Sequence, residues 1–328
     1  MDKILTIVVP TYNMEKYLSN CLDSFIYDKG TVDLEILIVN DGSKDRSLEI
    51  AKTYEEKYPN IFKVIDKENG GHGSTVNAGL KVATGKYFKV VDSDDWVDTN
   101  ELKKLIFVLK NTDADCVCCN YEKVFEGTNK KSLVDCTVGY SEKTVNMKDV
   151  NDFRFHMAAS TYKTNIIKNA RLDEKCFYVD VEYNEFCASL CKTVLFKPLN
   201  IYRYRIGRVG QSVSLQGFYK HRGDHKKVIF KLIDNLKNNS LPIIQEDCID
   251  MIKTHYVNYI GFYSFDKNCV KELVEFDNQL KKQNEQLYKN LGNFKRINSL
   301  RKSNFKNIKK LNYSYKFKRF IKKILGKG

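Results

Sequence analysis

The chain has 328 residues, 42% of them hydrophobic, with 20 Tyr and 19 Phe, enough for a sizeable core in one large or two modest domains. No apolar run reaches the roughly 18 residues a membrane span needs, and the first ten residues have neither the length nor the flanks of an export signal. The net charge of +14 is uneven: residues 286–328 carry 14 Lys and Arg and no Asp or Glu, leaving 41 of each sign in residues 1–285. The excess is an attached basic segment on a neutral body.

In chain order, Ile4 to Pro10 is a continuous apolar run that reads as a buried parallel strand. Glu15 to Ile26 has helical spacing, with Tyr17, Leu18, Cys21, Leu22 and Phe25 on one face. Glu35 to Val39 is a second strand, and Asp45 to Tyr58 a second helix opened by cap-forming residues. Ile61 to Ile65 is a third strand. Ser74 to Val82 is a helix entered through Gly70-Gly71-His72-Gly73. Tyr87 to Val91, Asn100 to Lys110 and Asp115 to Tyr121 continue the alternation as strand, helix and strand. The fold class is therefore α/β, a mostly parallel sheet flanked by helices, with a C-terminal helical extension. Residues 122–160 show no interpretable pattern. Ten Cys fall on apolar segments; Cys116 and Cys119 have a C-x-x-C spacing with no second pair, which favours buried thiols in a reducing cytosol over zinc or redox chemistry.

Ligands of such sheets sit beyond the carboxyl ends of the strands. Four polar clusters fall there: Pro10-Thr11-Tyr12-Asn13, Asn40-Asp41-Gly42-Ser43, Lys67-Glu68-Asn69-Gly70-Gly71 and Asp92-Ser93-Asp94-Asp95. Each alone is ordinary turn chemistry; their joint placement at one rim is what turn chemistry does not explain. In the last, Asp92 and Asp94 are two apart and on an extended segment would face the same side. Two such oxygens can hold a hard divalent cation that keeps positions open for substrate phosphates.

These clusters resemble the family 2 glycosyltransferases with the GT-A fold. The match runs through Val9-Pro10-Thr11-Tyr12-Asn13 with Glu15, Val39 to Asp45, Asn69-Gly70-Gly71 with Asn77-Ala78-Gly79, and Gly85-Lys86-Tyr87-Phe88 leading into Asp92-Ser93-Asp94-Asp95. It implies a nucleotide-sugar donor, a UDP-sugar in the first place, with its diphosphate on Mn²⁺ or Mg²⁺. Pro10, Thr11 and Tyr12 would line the base pocket, with Glu15, Asn69, Gly71 and Ser93 nearby. Asp41 would accept from the base, Asp92 would lie by the ribose and the metal, and Asp94 would be the principal metal ligand. One departure stands out: where the family carries Ala-Arg-Asn this chain has Thr75-Val76-Asn77. Lys67 or His72 would have to supply the missing donor.

Phe177 to Glu182 resembles the segment bearing the family's catalytic carboxylate. Asp180 aligns with the base and Glu182 is the other candidate; on an extended segment they would face alike, while a helix would separate them. Both also suit a helix N-terminus. Arg203, Arg205 and Arg208, with Gln211 and Ser212, resemble a loop that closes over the diphosphate, although Tyr202-Arg203-Tyr204-Arg205 equally reads as a strand with one solvated face. His221 and His225 are four apart, a spacing that an exposed helix face explains as well as a metal pair does.

The expected organisation is a catalytic domain over 1–215, a helical subdomain over 216–285 and a basic amphipathic tail over 286–328. In the tail, Phe317, Phe320, Ile321, Ile324 and Leu325 interleave with Lys316, Lys318, Arg319, Lys322 and Lys323, which suits a helix lying on an anionic membrane surface. An acidic polymer or nucleic acid bound through charge is the other reading of the tail; no specific nucleic acid is expected. The function expected is inverting, metal-dependent transfer of a sugar to a hydroxyl of a glycan or lipid-linked acceptor in surface polysaccharide synthesis, by an enzyme peripheral to the inner membrane face. A sugar-phosphate nucleotidyltransferase is the alternative; it would want a glycine-rich basic loop where Thr11-Tyr12-Asn13-Met14 stands.

Overall fold

The first strand, β1 (Leu5–Thr11), is buried at every position, as a run with no polar face must be. It pairs in parallel with β2 (Leu34–Asp41) on one side and β4 (Tyr87–Val90) on the other; β3 (Phe62–Lys67) extends the parallel block beyond β2. The computed structural model describes residues 3–27, 32–151, 153–207, 215–237 and 241–315. Among them the crossovers are α1 (Leu18–Asp23), α2 (Ser47–Lys57) and α3 (His72–Val82). The first helix is shorter than its spacing suggests, because residues 15–17 form a turn.

Past β4 the sheet is no longer uniformly parallel. The short β5 (Trp96–Val97) and α4 (Thr99–Lys110) lead into β6 (Cys116–Phe125), which runs parallel to β10 (Thr193–Ile206). Between β4 and β6 lies β9 (Ser160–Lys163), antiparallel to both. The strand order is β3-β2-β1-β4-β9-β6-β10-β5, with β7 (Lys131–Val134) on β6 and β8 (Thr144–Asn146) on β10. The fourth and fifth expected strands, β4 and β6, are thus not neighbours but are separated by β9, which follows the stretch that showed no pattern. Because β9 is antiparallel, it begins at the rim where β4 and β6 end. After β9 come α5 (Thr164–Ile167) and α6 (Val179–Leu190).

The chain divides into two units, residues 1–209 with 241–243, and 210–240 with 244–328. The second is helical: α7 (Leu215–Lys220), α8 (Arg222–Leu236), α9 (Pro242–Phe262), α10 (Cys269–Gln283), α11 (Glu285–Leu291) and α12 (Lys295–Lys302). Leu287, Leu291, Ile297 and Leu300 are buried. The basic stretch from 286 therefore begins as folded helix, and its interleaved segment 316–325 lies outside the described residues. No helix among the described residues is long and apolar enough to cross a membrane. All ten cysteines are buried and free, Cys116 and Cys119 included. His225 is not on an exposed helix face; it is buried against His255, with 2.9 Å between their Nδ1 atoms.

Candidate functional site

The acidic cluster after β4 is a turn. The Asp95 N–H donates to the Asp92 carbonyl at 2.9 Å. The side chains of Asp92, Asp94 and Asp95 each bring one oxygen within 4.8 Å of the others. The convergence expected from strand alternation thus arises from backbone reversal, which also brings in a third carboxylate. Asp95 is committed elsewhere: it is 1% exposed and accepts from the Tyr202 hydroxyl at 2.6 Å and the Arg205 N–H at 2.7 Å. Burial, reinforced by the charges of Asp94 and Asp92, pushes its carboxyl well above the usual range. Asp92 and Asp94 are partly exposed, and their carboxylates are hard oxygen donors of a kind that fits Mg²⁺ or Mn²⁺. Ser93 is turned inward, its hydroxyl donating to the Pro10 carbonyl at 2.6 Å, so it fastens the turn to the end of β1 and is not available to a ligand.

Arg205 braces the same turn. Its Nε donates to the Asp94 carbonyl at 2.7 Å, and its guanidinium lies 4.8 Å from the Tyr17 ring centre and 4.7 Å from that of Trp96. Arg203 pairs with Asp98 at 2.8 Å and Glu122 at 3.4 Å. Neither arginine lies on a solvated strand face: Arg203 ties β10 to its neighbours and Arg205 braces the acidic turn. Arg208, Gln211 and Ser212 lie outside the described residues.

At the end of β1, Thr11 is buried and donates to the Val9 carbonyl, while Tyr12 is 46% exposed at the rim. Glu15 staples two loops, its N–H on Asp45 and its Oε2 on the Arg46 N–H, both at 3.0 Å. Asp41 is buried and its carboxylate takes the N–H groups of Gly70 at 2.9 Å and Gly71 at 2.8 Å and the Lys67 ammonium at 2.8 Å. Asn69 donates to the Asp41 carbonyl at 2.9 Å. A carboxylate has about four acceptor positions, so the chain's own donors fill most of Asp41. Lys67 also reaches Ser74 at 2.9 Å, and Val76, in place of the family's Arg, is buried.

The second group of carboxylates stands on α6. Glycine at 73 lets the start of α3 touch the 172–175 loop: a Cβ there would lie 2.2 Å from the Asp173 carbonyl oxygen. The Asp173 N–H in turn donates to Glu182 at 2.9 Å. Asp180 and Glu182 are helical and so point apart. Asp180 is exposed in the first turn, whereas Glu182 is 0% exposed. Glu182 ties a loop to its helix, and Asp180 alone meets solvent. His72, at the start of α3, connects the two acidic groups. Its Nε2 is 2.9 Å from Asp92 Oδ1. Burial lowers its pKa, but the charge and bond of Asp92, then the charges of Asp180 and Asp94, outweigh burial and raise it.

A paired acidic turn at the strand ends, touched by a histidine that feels the charge of an exposed carboxylate, is in keeping with what the sequence resemblance implies. Residues 6–170 match the model of the glycosyl transferase family 2. The chain belongs to glycosyltransferase family 2. It is 31% identical to EpsH of Bacillus subtilis over 214 residues, 62% of this chain and 60% of EpsH. It is 27% identical to the minor teichoic acid biosynthesis protein GgaB of Bacillus subtilis over 256 residues, 76% of this chain and 27% of GgaB. The chain thus spans less than two thirds of either relative. Among solved structures it is similar to S. aureus TarS 1–349 in complex with UDP, with a TM-score of 0.69 and 19% identity over 95% of this chain and 91% of that one. That likeness is one of fold, the GT-A fold.

Within this family 2 chain, sequence reasoning missed His156. It lies in the turn before β9, stacked on Tyr121 with ring centres 4.7 Å apart and 5.9 Å from the Tyr204 ring. Lys89, fully buried in β4, was likewise read only as part of an apolar strand; it donates to the Ala158 carbonyl at 2.7 Å. Neither has a local signal, since their contact depends on where β9 and the turn before it lie in the sheet.

Proposed function

We propose that this chain is an inverting glycosyltransferase that moves a sugar from a UDP-linked donor to a hydroxyl of a glycan or lipid-linked acceptor in cell-surface polymer synthesis. The observation that carries the reading is the convergence of Asp92 and Asp94 at the strand rim, beside a histidine, His72, that touches Asp92 and feels the charge of the exposed Asp180. Asp92 and Asp94 would hold Mn²⁺ or Mg²⁺, with Asp95, Tyr202 and Arg205 fixing the turn behind them. The chemistry such an ion supplies is neutralisation of the charge growing on the departing diphosphate. Tyr12, exposed beyond β1, offers a face to the base. Asp180 takes the proton of the acceptor hydroxyl; the acceptor oxygen bonds the anomeric carbon, and the bond from that carbon to the diphosphate breaks with its electron pair on UDP. A base of this kind contributes on the order of 10²–10⁴-fold.

The UDP donor finds support in the bound UDP of the TarS structure, and the surface-polymer role in the name of GgaB. The basic, aromatic-interleaved segment 316–325 supports a site of action on an anionic membrane face. The test is nucleotide release from a panel of UDP- and GDP-sugars with Mn²⁺ and with EDTA. UDP release that needs metal is the expected result. Pyrophosphate from UTP and a sugar phosphate would instead establish the nucleotidyltransferase alternative, and no release from any donor would overturn the reading.

A further inference from the structure

His156 has a fixed tautomer and an open donor. Its Nδ1 accepts from the Ala158 N–H at 3.1 Å, and the turn is closed by Ala159 and Ser160 N–H groups on the His156 carbonyl at 2.8 and 3.0 Å. A neutral imidazole that accepts at Nδ1 carries its proton on Nε2. Among the described residues none bonds Nε2. The turn is itself pinned, because the Lys89 ammonium holds the carbonyls of Ala158 at 2.7 Å and Ser160 at 3.2 Å from inside the sheet. The ring lies flat on Tyr121, at an interplanar angle of 20°.

Topology sets where that donor stands. The turn precedes β9, which runs antiparallel between β4 and β6, so the ring sits at the rim occupied by Asp92 after β4 and Tyr121 in β6. Tyr204, its other aromatic neighbour, is two residues from Tyr202 in β10 and shares its face of the strand; Tyr202 touches both Asp92 and Asp95. Burial lowers the pKa of His156, and the charge acting on it most strongly is that of Asp180. The ring is therefore neutral at neutral pH.

We propose that His156 contacts the acceptor, its Nε2–H donating to an oxygen of the incoming sugar and aiming the reactive hydroxyl at Asp180. The inference rests on the reading of Asp180 as the base. With no acceptor present, water takes the same place, so donor hydrolysis reports on the contact. The Lys89–Ala158–His156 chain explains why a lysine is buried in the central sheet: it fixes the turn that carries the donor.

The full-length protein, its H156F variant (stacking kept, donor removed) and its H156Q variant (donor kept) are compared for UDP release from whichever donor the wild type hydrolyses with Mn²⁺. Misplacement of a reacting group costs on the order of 10–100-fold. H156F is expected to lose about that much in kcat, with the donor KM and the Mn²⁺ activation constant within about twofold of wild type, while H156Q keeps most of the rate. H156F turning over like wild type, H156F raising donor KM at unchanged kcat, or folded H156F and H156Q losing activity equally would each overturn the inference. A wild type that hydrolyses no donor removes the glycosyltransferase reading itself, and this inference with it.

Discussion

Tyr202 donates from its phenol to Oδ2 of Asp95 at 2.6 Å and accepts at that oxygen from the Asp92 N–H at 3.2 Å, so one side chain of β10 ties both ends of the acidic turn. Tyr202→Phe leaves the buried Asp95 short of a donor, a loss of about 1–3 kcal/mol. Groups supporting metal ligands typically contribute 10–100-fold in affinity. Urea unfolding should report the first effect and a Mn²⁺ titration of donor hydrolysis a roughly tenfold rise in the metal needed. An unchanged titration would mean that the turn holds its shape without this bond.

Asp94→Ala removes one of the two partly exposed oxygens of the turn but not the brace behind it, since Arg205 binds the Asp94 backbone. UDP release should fall by at least about 10³-fold, in line with the several kcal/mol a metal contributes to leaving-group departure. The melting temperature should barely move. Near-normal turnover by this variant would refute the metal assignment.

Asp180 and Glu182 should separate cleanly. Asp180→Asn keeps the fold and donor binding while turnover falls by about 10²–10⁴-fold. Glu182→Gln alters a fully buried group that accepts from the Asp173 N–H, so its cost of roughly 1–3 kcal/mol appears in unfolding. UDP binding by calorimetry, kcat and a melt on both variants distinguish the roles. Glu182→Gln losing turnover at full stability would show the base to be misassigned.

The first hundred residues were legible because β1 and β2 are apolar runs ending in polar clusters and strands alternate there with helices of ordinary length. What stayed hidden was which strands are neighbours. The four-residue β9 was not among the strands expected, yet it separates β4 from β6, and the turn before it carries His156 and the carbonyl that Lys89 holds. Side-chain direction within a turn was equally hidden: Ser93 looks like a ligand group but faces Pro10, and Asp41 looks available but is wrapped by Gly70, Gly71 and Lys67. The helices from 285 to 302 were obscured by charge, which outweighed the spacing of Leu287, Leu291, Ile297 and Leu300.

Lys89 should be visible in alkaline stability. Burial lowers its pKa from 10.5 to about 8. Between those values the unfolded chain holds a proton that the folded chain has released, so its contribution to stability rises with pH by up to about 1.4 kcal/mol per unit. Buried thiols such as Cys116, Cys118 and Cys187, raised by burial, act in the opposite direction. The Lys89 share is therefore read as the stability of wild type minus that of Lys89→Met, which should climb between pH 8 and 10. A flat difference would mean that the ammonium keeps its proton inside the sheet.

The helical unit should weaken in mild acid. His225 of α8 and His255 of α9 are both buried, with rings 5.1 Å apart and nearly parallel, and share one proton between their Nδ1 atoms. Burial lowers His225 from 6.5 to about 4, and burial together with the neighbouring His225 charge holds His255 well below its usual value. Below pH 6.5 the unfolded chain takes up protons that the folded pair refuses. The stability present above that pH is lost as pH falls toward 4, at up to about 1.4 kcal/mol per unit for each ring. Amide exchange in α8 and α9 should quicken by roughly tenfold or more between pH 7 and 5 after correction for the intrinsic rate, and a double variant carrying His225→Phe and His255→Phe should lose that dependence. Equal protection at both values in the wild type would mean that the pair accepts a proton without opening.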